Sequence, residues 1–222
     1  MDSAASAPAA RMPFVRRERE ALADSLLSFG PDAPTILDGW TGTELLDHLI
    51  HRELVLPAAA AARSPLAPLR LRGRASLAAL EEMTWSQKVA LFRAGHGRFS
   101  PLRLADPVMN TIEYLVHHED LRRARPGWAP RELATADERT VWTQLSLGAR
   151  LLIRASVDLT LVSPIGGLRV PARSAAAESP VRVHGSVTEL LLWAYGRDRV
   201  ARVRLDGESA ALLVLREANR GV

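Results

Sequence analysis

Cysteine is absent from all 222 residues, which excludes disulfides, thiolate metal ligands and a thiol nucleophile carried by the chain itself. Any sulfur chemistry would need a thiol from outside. Lysine is nearly absent: Lys88 stands alone, and the other 28 of the 29 basic side chains are arginines spread through every segment. The net charge of +4 therefore comes without the clustered basic face, interleaved with aromatics, that nucleic-acid binding requires. Arg16-Arg17, Arg70 to Arg74 and Arg122 to Arg125 are short, separated runs, so nucleic acid is not an expected partner. No apolar run approaches the ~20 residues that span a bilayer. The first ten residues lack the apolar segment of a signal peptide and read as a disordered tail, which makes the cytoplasm the default compartment.

With 47% hydrophobic and 24% charged residues, the composition is that of a globular protein able to build one large domain or two small ones. Two periodicities divide it. From Pro13 to about Ala155 apolar residues recur at helical spacing, as in Val15, Leu22, Leu26 and Phe29 or Leu45, Leu46, Leu49 and Ile50. The pattern predicts helices near 13–29, 41–62, 75–95, 107–125 and 135–155, the third broken in two. Thr41 with Glu44 and Thr135 with Glu138 fit capping boxes, and Asp106-Pro107 fits a helix start. After Ala155 alternation takes over: Val157, Leu159 and Leu161, a turn at Gly166-Gly167, then Leu168 with Val170 and Val181 with Val183. Ser186 caps a short helix ending at Gly196, Val200 to Leu205 reads as a strand, and Glu208 to Asn219 as a helix, giving the order βββαβα. The domains expected are 11–155, helical, and 156–222, α/β, after the tail of 1–10.

Within Asn110 to Asp120, Glu113 and His117 stand one helical turn apart. Side chains at i and i+4 share a helix face with Cβ atoms about 6 Å apart, so this carboxylate and imidazole can point at one metal ion. Ile112 and Val116 flank them at the edge of an apolar stripe, where an unpaired carboxylate costs several kcal/mol and demands a cation or hydrogen-bond partner. A third ligand is available in His48, on the margin of the Leu45–Leu49 stripe; His51, beside Arg52, is its rival, and Glu44 already has the capping task. Two histidines and a carboxylate leave positions open for water or substrate. His118 points about 100° away from His117, as a surface histidine or as support behind a ligand. Asp120 either orients His117 or pairs with Arg123 or Arg52. The five tryptophans are assigned to packing.

Gly39-Trp40-Thr41 followed by Leu45-Leu46-Asp47-His48-Leu49, together with Glu113-x-x-x-His117-x-x-Asp120-Leu121-x-Arg123-Ala124, resembles the actinobacterial mycothiol-dependent maleylpyruvate isomerase-like proteins of the DinB-like superfamily. The segment Gly185 to Trp193 is similar to the small sterol-carrier-like α/β domain that such proteins append. The resemblance implies an N-terminal DinB-like four-helix bundle followed by that α/β domain, with a divalent metal, usually zinc, held by residues matching His48, Glu113 and His117. It further implies mycothiol as thiol cosubstrate and a small-molecule substrate. In an isomerase the thiolate adds to a cis double bond, rotation follows, and elimination gives the trans product; in an S-transferase the thiolate displaces a leaving group. Glu119 departs from the often aromatic residue of the isomerases and looks closer to a branch reading His-His-Glu-Asp. Arg197, Arg199, Arg202 and Arg204 are available to an anionic substrate, but none matches a family position.

Three functions fit these residues. The first is a metal- and thiol-dependent isomerase or transferase, and the second a metal-binding or stress-response protein without turnover. The third is a lipid- or partner-binding protein in which the trio is merely structural.

Overall fold

Capping, glycine stops and one π-helical turn set the helices of the first half. A computed structural model of the chain describes residues 12–95, 102–173 and 179–221, so the expected tail at 1–10 lies outside the described residues. The protein is mostly helical with two small sheets and divides into two compact units, Met1–Trp128 and Ala129–Val222.

In the first unit α1 (Phe14–Phe29) ends at Gly30, whose φ of 87° favours glycine. The loop that follows doubles back through an isolated bridge between Pro34 and Thr41. The Ile36 amide donates to the Asp120 carbonyl at 3.0 Å, which ties the loop to the last helix of the unit. Thr41 and Glu44 form the expected capping box at the head of α2 (Gly42–Ile50). A Cβ at Gly42 would lie 2.7 Å from the Gly30 carbonyl oxygen, so only glycine lets α2 start this close to the end of α1.

The helix expected over 41–62 is continuous but not uniform: a π-helical turn, His51–Val55, joins α2 to α3 (Leu56–Ala62). The expected third helix is indeed two, α4 (Ala67–Glu81) and α5 (Trp85–Ala94), parted where Thr84 and Gln87 make a second capping box. However, α4 begins eight residues earlier than periodicity suggests, because Pro65 and Pro68 suit a helix start and α4 has almost no apolar stripe to count. The last helix of the unit, α6 (Leu102–Arg122), runs through Asp106-Pro107 instead of starting there. One core joins α1, α2, α5 and α6: Val15, Leu22, Ala23, Leu26, Leu45, Leu46, Leu49, Ile50, Val89, Phe92, Tyr114 and Leu121 are all buried in it.

In the second unit α7 (Thr135–Leu152) packs on later elements of that unit, which is why the units part after Trp128 and not near residue 155, where the alternation begins. Ala134 is its N-cap and makes no side-chain bond, so the Thr135 box does not form. β1 (Ile153–Arg154) takes over the expected end of α7 by pairing with β6 (Asn219–Arg220). The larger sheet has the order β3-β2-β4-β5, from β2 (Leu159–Ser163), β3 (Gly166–Val170), β4 (Val181–His184) and β5 (Arg204–Asp206). β2 and β3 form a hairpin whose turn is Pro164-Ile165, so Gly166-Gly167 open the second strand. β2 and β4 run parallel with Leu159 opposite Val181 and Leu161 opposite Val183, which puts four apolar residues on the buried face. Ser186 caps α8 (Val187–Ala194), every residue of which is buried. β5 starts later than expected because the amides of Val200 and Ala201 bond to the Arg197 carbonyl and that of Arg202 to Glu189. α9 (Ser209–Arg216) gives way to β6.

Candidate metal centre

α6 presents Glu113 and His117 from successive turns of one face, and α2 brings His48 against them. The His117 Nε2 lies 3.6 Å from Glu113 Oε2, and the His48 Nε2 lies 4.0 Å from the same oxygen. One donor atom from each of the three falls within 4.8 Å of the others. Tetrahedral donors about 2.1 Å from a zinc-sized ion stand roughly 3.4 Å apart, so slight side-chain turns bring this set to bonding distance. The side chains grade from interior to solvent: His117 is 8% exposed, Glu113 17% and His48 38%. Access is therefore from the α2 side.

The orientation of His117 is fixed from behind. Its Nδ1 lies 3.0 Å from Oδ2 of Asp120, a carboxylate with no exposed surface. With Nδ1 engaged there, Nε2 is the ring nitrogen turned toward Glu113, the arrangement behind most ligating histidines. Trp40 lines the group: its ring stacks on His117 at 6.2 Å and 11° and tilts against His48 at 5.2 Å. The Thr35 amide and hydroxyl both donate to the Trp40 carbonyl and hold that loop in place.

Burial pushes the Glu113 carboxyl upward, but hydrogen bonds from His117 and His48 and the nearby charge of Arg52 prevail and hold it well below the ordinary carboxylate range. For His117 burial favours the neutral ring, yet Asp120 and Glu113 outweigh it and raise its pKa. A concentrated negative charge facing two imidazoles is the electrostatics a divalent cation satisfies. Two nitrogens and one oxygen suit zinc, and also iron, nickel or manganese.

The remaining sequence candidates separate cleanly. Glu44 is occupied at the α2 cap and His51 is exposed on the π turn. His118 is neither on the surface nor behind a ligand: it is buried between Glu18, 2.8 Å from its Nδ1, and Ser25, 2.9 Å from its Nε2. Asp120 meets His117, and Arg123 and Arg122 both bind Glu119. Of the four arginines available to an anionic substrate, Arg197 reaches the Tyr195 carbonyl.

Sequence reading missed three features. Trp40 was assigned to packing, although it touches both histidines. Arg52 stands 3.8 Å from Glu113 and also donates to Asn110. A buried cluster lies on the neighbouring faces: Arg19 donates to Glu53 at 3.0 Å and to Tyr114, whose hydroxyl donates to Glu53. Burial first, and then the Glu53 charge, push the Tyr114 hydroxyl far above its usual pKa, so it stays protonated. The available signal was a pair of charges, Glu18 and Arg19, set inside the Val15–Leu22 stripe.

The chain matches no protein-family model and no curated protein. Two solved structures are similar to it. The crystal structure of the mycothiol-dependent maleylpyruvate isomerase is 19% identical over 89% of this chain and 91% of that chain, with a TM-score of 0.47. A mutant of that isomerase with one histidine replaced by alanine gives the same identity and coverage and a TM-score of 0.48.

Proposed function

We propose that the protein is a divalent-metal- and thiol-dependent enzyme of the maleylpyruvate isomerase-like type, a cis-trans isomerase or S-transferase acting on a small molecule. His48, Glu113 and His117 are its metal ligands, zinc the ion and mycothiol the thiol. In this reading the helices of the first unit are a DinB-like four-helix bundle, and the strands and helices after residue 155 are a sterol-carrier-like domain. The observation that carries the proposal is the convergence of three donors from two helices, the innermost oriented by a buried carboxylate and the outermost open to solvent.

A bound divalent ion would lower the pKa of an incoming thiol or polarise a substrate carbonyl. The chain's own part is positional. Glu113 supplies the negative charge, Asp120 holds the Nδ1 proton of His117, and Trp40 walls one side against water. His48 stands where a small molecule arrives. Addition of a thiol across a cis double bond, rotation and expulsion of the same thiol consumes no oxidant or reductant, so the chain needs no redox group of its own.

Elemental analysis of the purified protein and of His117→Ala tests the ligand set: stoichiometric divalent metal in the first and its loss in the second are expected. Unchanged metal content in His117→Ala would overturn it. Cobalt-substituted protein titrated with a mycothiol-like thiol should change its visible spectrum. Retained metal with no spectral change would point instead to a metal-binding or stress-response protein without turnover.

A further inference from the structure

The facing surfaces of α2 and α6 carry one more pair of polar side chains beside the three donors. Arg52 follows His48 by four residues, on the π-helical turn, and Asn110 precedes Glu113 by three, so each lies one turn along from a donor. The two meet. Arg52 Nη1 donates to Oδ1 of Asn110, a buried residue, while its Nε stands 3.8 Å from Oε2 of Glu113, the same oxygen that both histidines approach. The Arg52 side chain is 28% exposed, between Glu113 at 17% and His48 at 38%, so part of it meets solvent at the rim of the group.

A cation is out of place here unless it has a further use. Without an ion, Arg52 and Glu113 are an ordinary pair of opposite charges. With a divalent ion on Glu113, the guanidinium anchored on Asn110 becomes a positive charge beside a larger one, and the two repel. A centre built only to retain its ion would bind it more tightly with a neutral side chain at this position. An anion lying between the ion and the guanidinium reverses the sign, because it attracts both. The guanidinium is also a planar fork whose geometry matches a carboxylate.

We propose that Arg52 is the specificity-determining residue of the centre and that it selects a small carboxylate as substrate. The anionic group meets the guanidinium while a second polar group, a few atoms away, meets the ion. This inference rests on the metal-dependent reading given above. Unlike Arg197, Arg199, Arg202 and Arg204, Arg52 belongs to the same unit as the three donors, so recognition and metal binding share one pair of helices. The anchor matters as much as the charge. Held by Asn110, the guanidinium need not be ordered anew when an anion arrives, which lowers the entropic cost of binding.

The test uses the full chain with cobalt in place of zinc and follows the visible spectrum during titration with succinate and with succinamate. Both probes can place one carboxylate on the cobalt, but succinate alone has a second for Arg52. Succinate should bind about tenfold more tightly than succinamate. Arg52→Gln should erase that gap, Arg52→Lys should keep part of it, and cobalt affinity in Arg52→Gln, measured against a chelator, should be unchanged or higher. Equal binding of the two probes by the parent, or a gap that survives in Arg52→Gln, would overturn the role of Arg52 while leaving the metal ligands standing. A fall in cobalt affinity beyond about threefold in Arg52→Gln would overturn it too, since Arg52 would then serve to hold Glu113 in place. A parent chain that takes up no cobalt would refute the ligand set itself, and the role of Arg52 with it.

Discussion

Replacing Asp120 tests whether the donors of the proposed centre are held in place by the interior. Its carboxylate has no exposed surface and lies 3.0 Å from Nδ1 of His117. Asp120→Asn preserves the shape and an acceptor oxygen but removes the charge that makes the ring a stronger donor. Asp120→Ala also frees the ring to turn. Losing such support behind a ligating histidine weakens metal affinity by about 10- to 100-fold, or roughly 1.4–2.7 kcal/mol. The asparagine variant belongs near the lower figure, since it still accepts the Nδ1 proton, and the alanine variant near the upper. Competition with a chromogenic chelator measures the affinity, and circular dichroism of each metal-free variant checks that the helices persist. If both folded variants held the ion within about threefold of the parent, the account of His117 as an oriented ligand would be refuted.

Other consequences follow from the same unit. Arg19→Met leaves the Glu53 carboxylate buried without its cation and should cost about 3–5 kcal/mol in urea denaturation; a loss under 1 kcal/mol would show the cluster to be incidental. In metal-free protein the Glu113 carboxyl titrates below its unfolded value. Its contribution is therefore complete above about pH 4.3 and lost as the pH falls toward the folded value. Glu113→Gln should flatten the acid limb of the stability profile by up to about 1.4 kcal/mol per pH unit, and superimposable profiles would contradict that. Gly42→Ala drives a methyl against two backbone oxygens and should lower stability by about 1–3 kcal/mol, read as a drop in thermal midpoint; an unchanged midpoint would mean α2 can move away freely.

What could be read from the sequence was whatever depends on neighbours within a turn or two. The Thr41–Glu44 cap and the pairing of Glu113 with His117 are fixed by spacings of three and four. That His48 and not His51 meets α6 follows from the Leu45–Leu49 stripe. Most of the sheet was legible because β2 and β4 alternate, and one face of each is buried. Other features depend on distant partners. His118 owes its burial to Glu18, a hundred residues away, so no local pattern distinguishes it from a surface histidine. β1 and β6 are two residues each and exist only through each other. The π turn adds a residue to a helix without changing its composition, and α4 has no stripe by which its start could be found.

The two sides of the histidine and carboxylate group differ in how firmly they are anchored. Between Glu113 and Glu119, α6 alternates donors with residues gripped from α1 and the interior: Tyr114 by Arg19 and Glu53, His118 by Glu18 and Ser25, Glu119 by Arg123. Glu113 and His117 thus move only if that whole lattice of contacts moves. Among the described residues the His48 side chain meets only the rings of Trp40 and His117 and the Glu113 carboxylate, and it is the most exposed of the three. A guest of unfamiliar radius would be met by two stationary partners and one adjustable one, leaving discrimination by size to the outer helix.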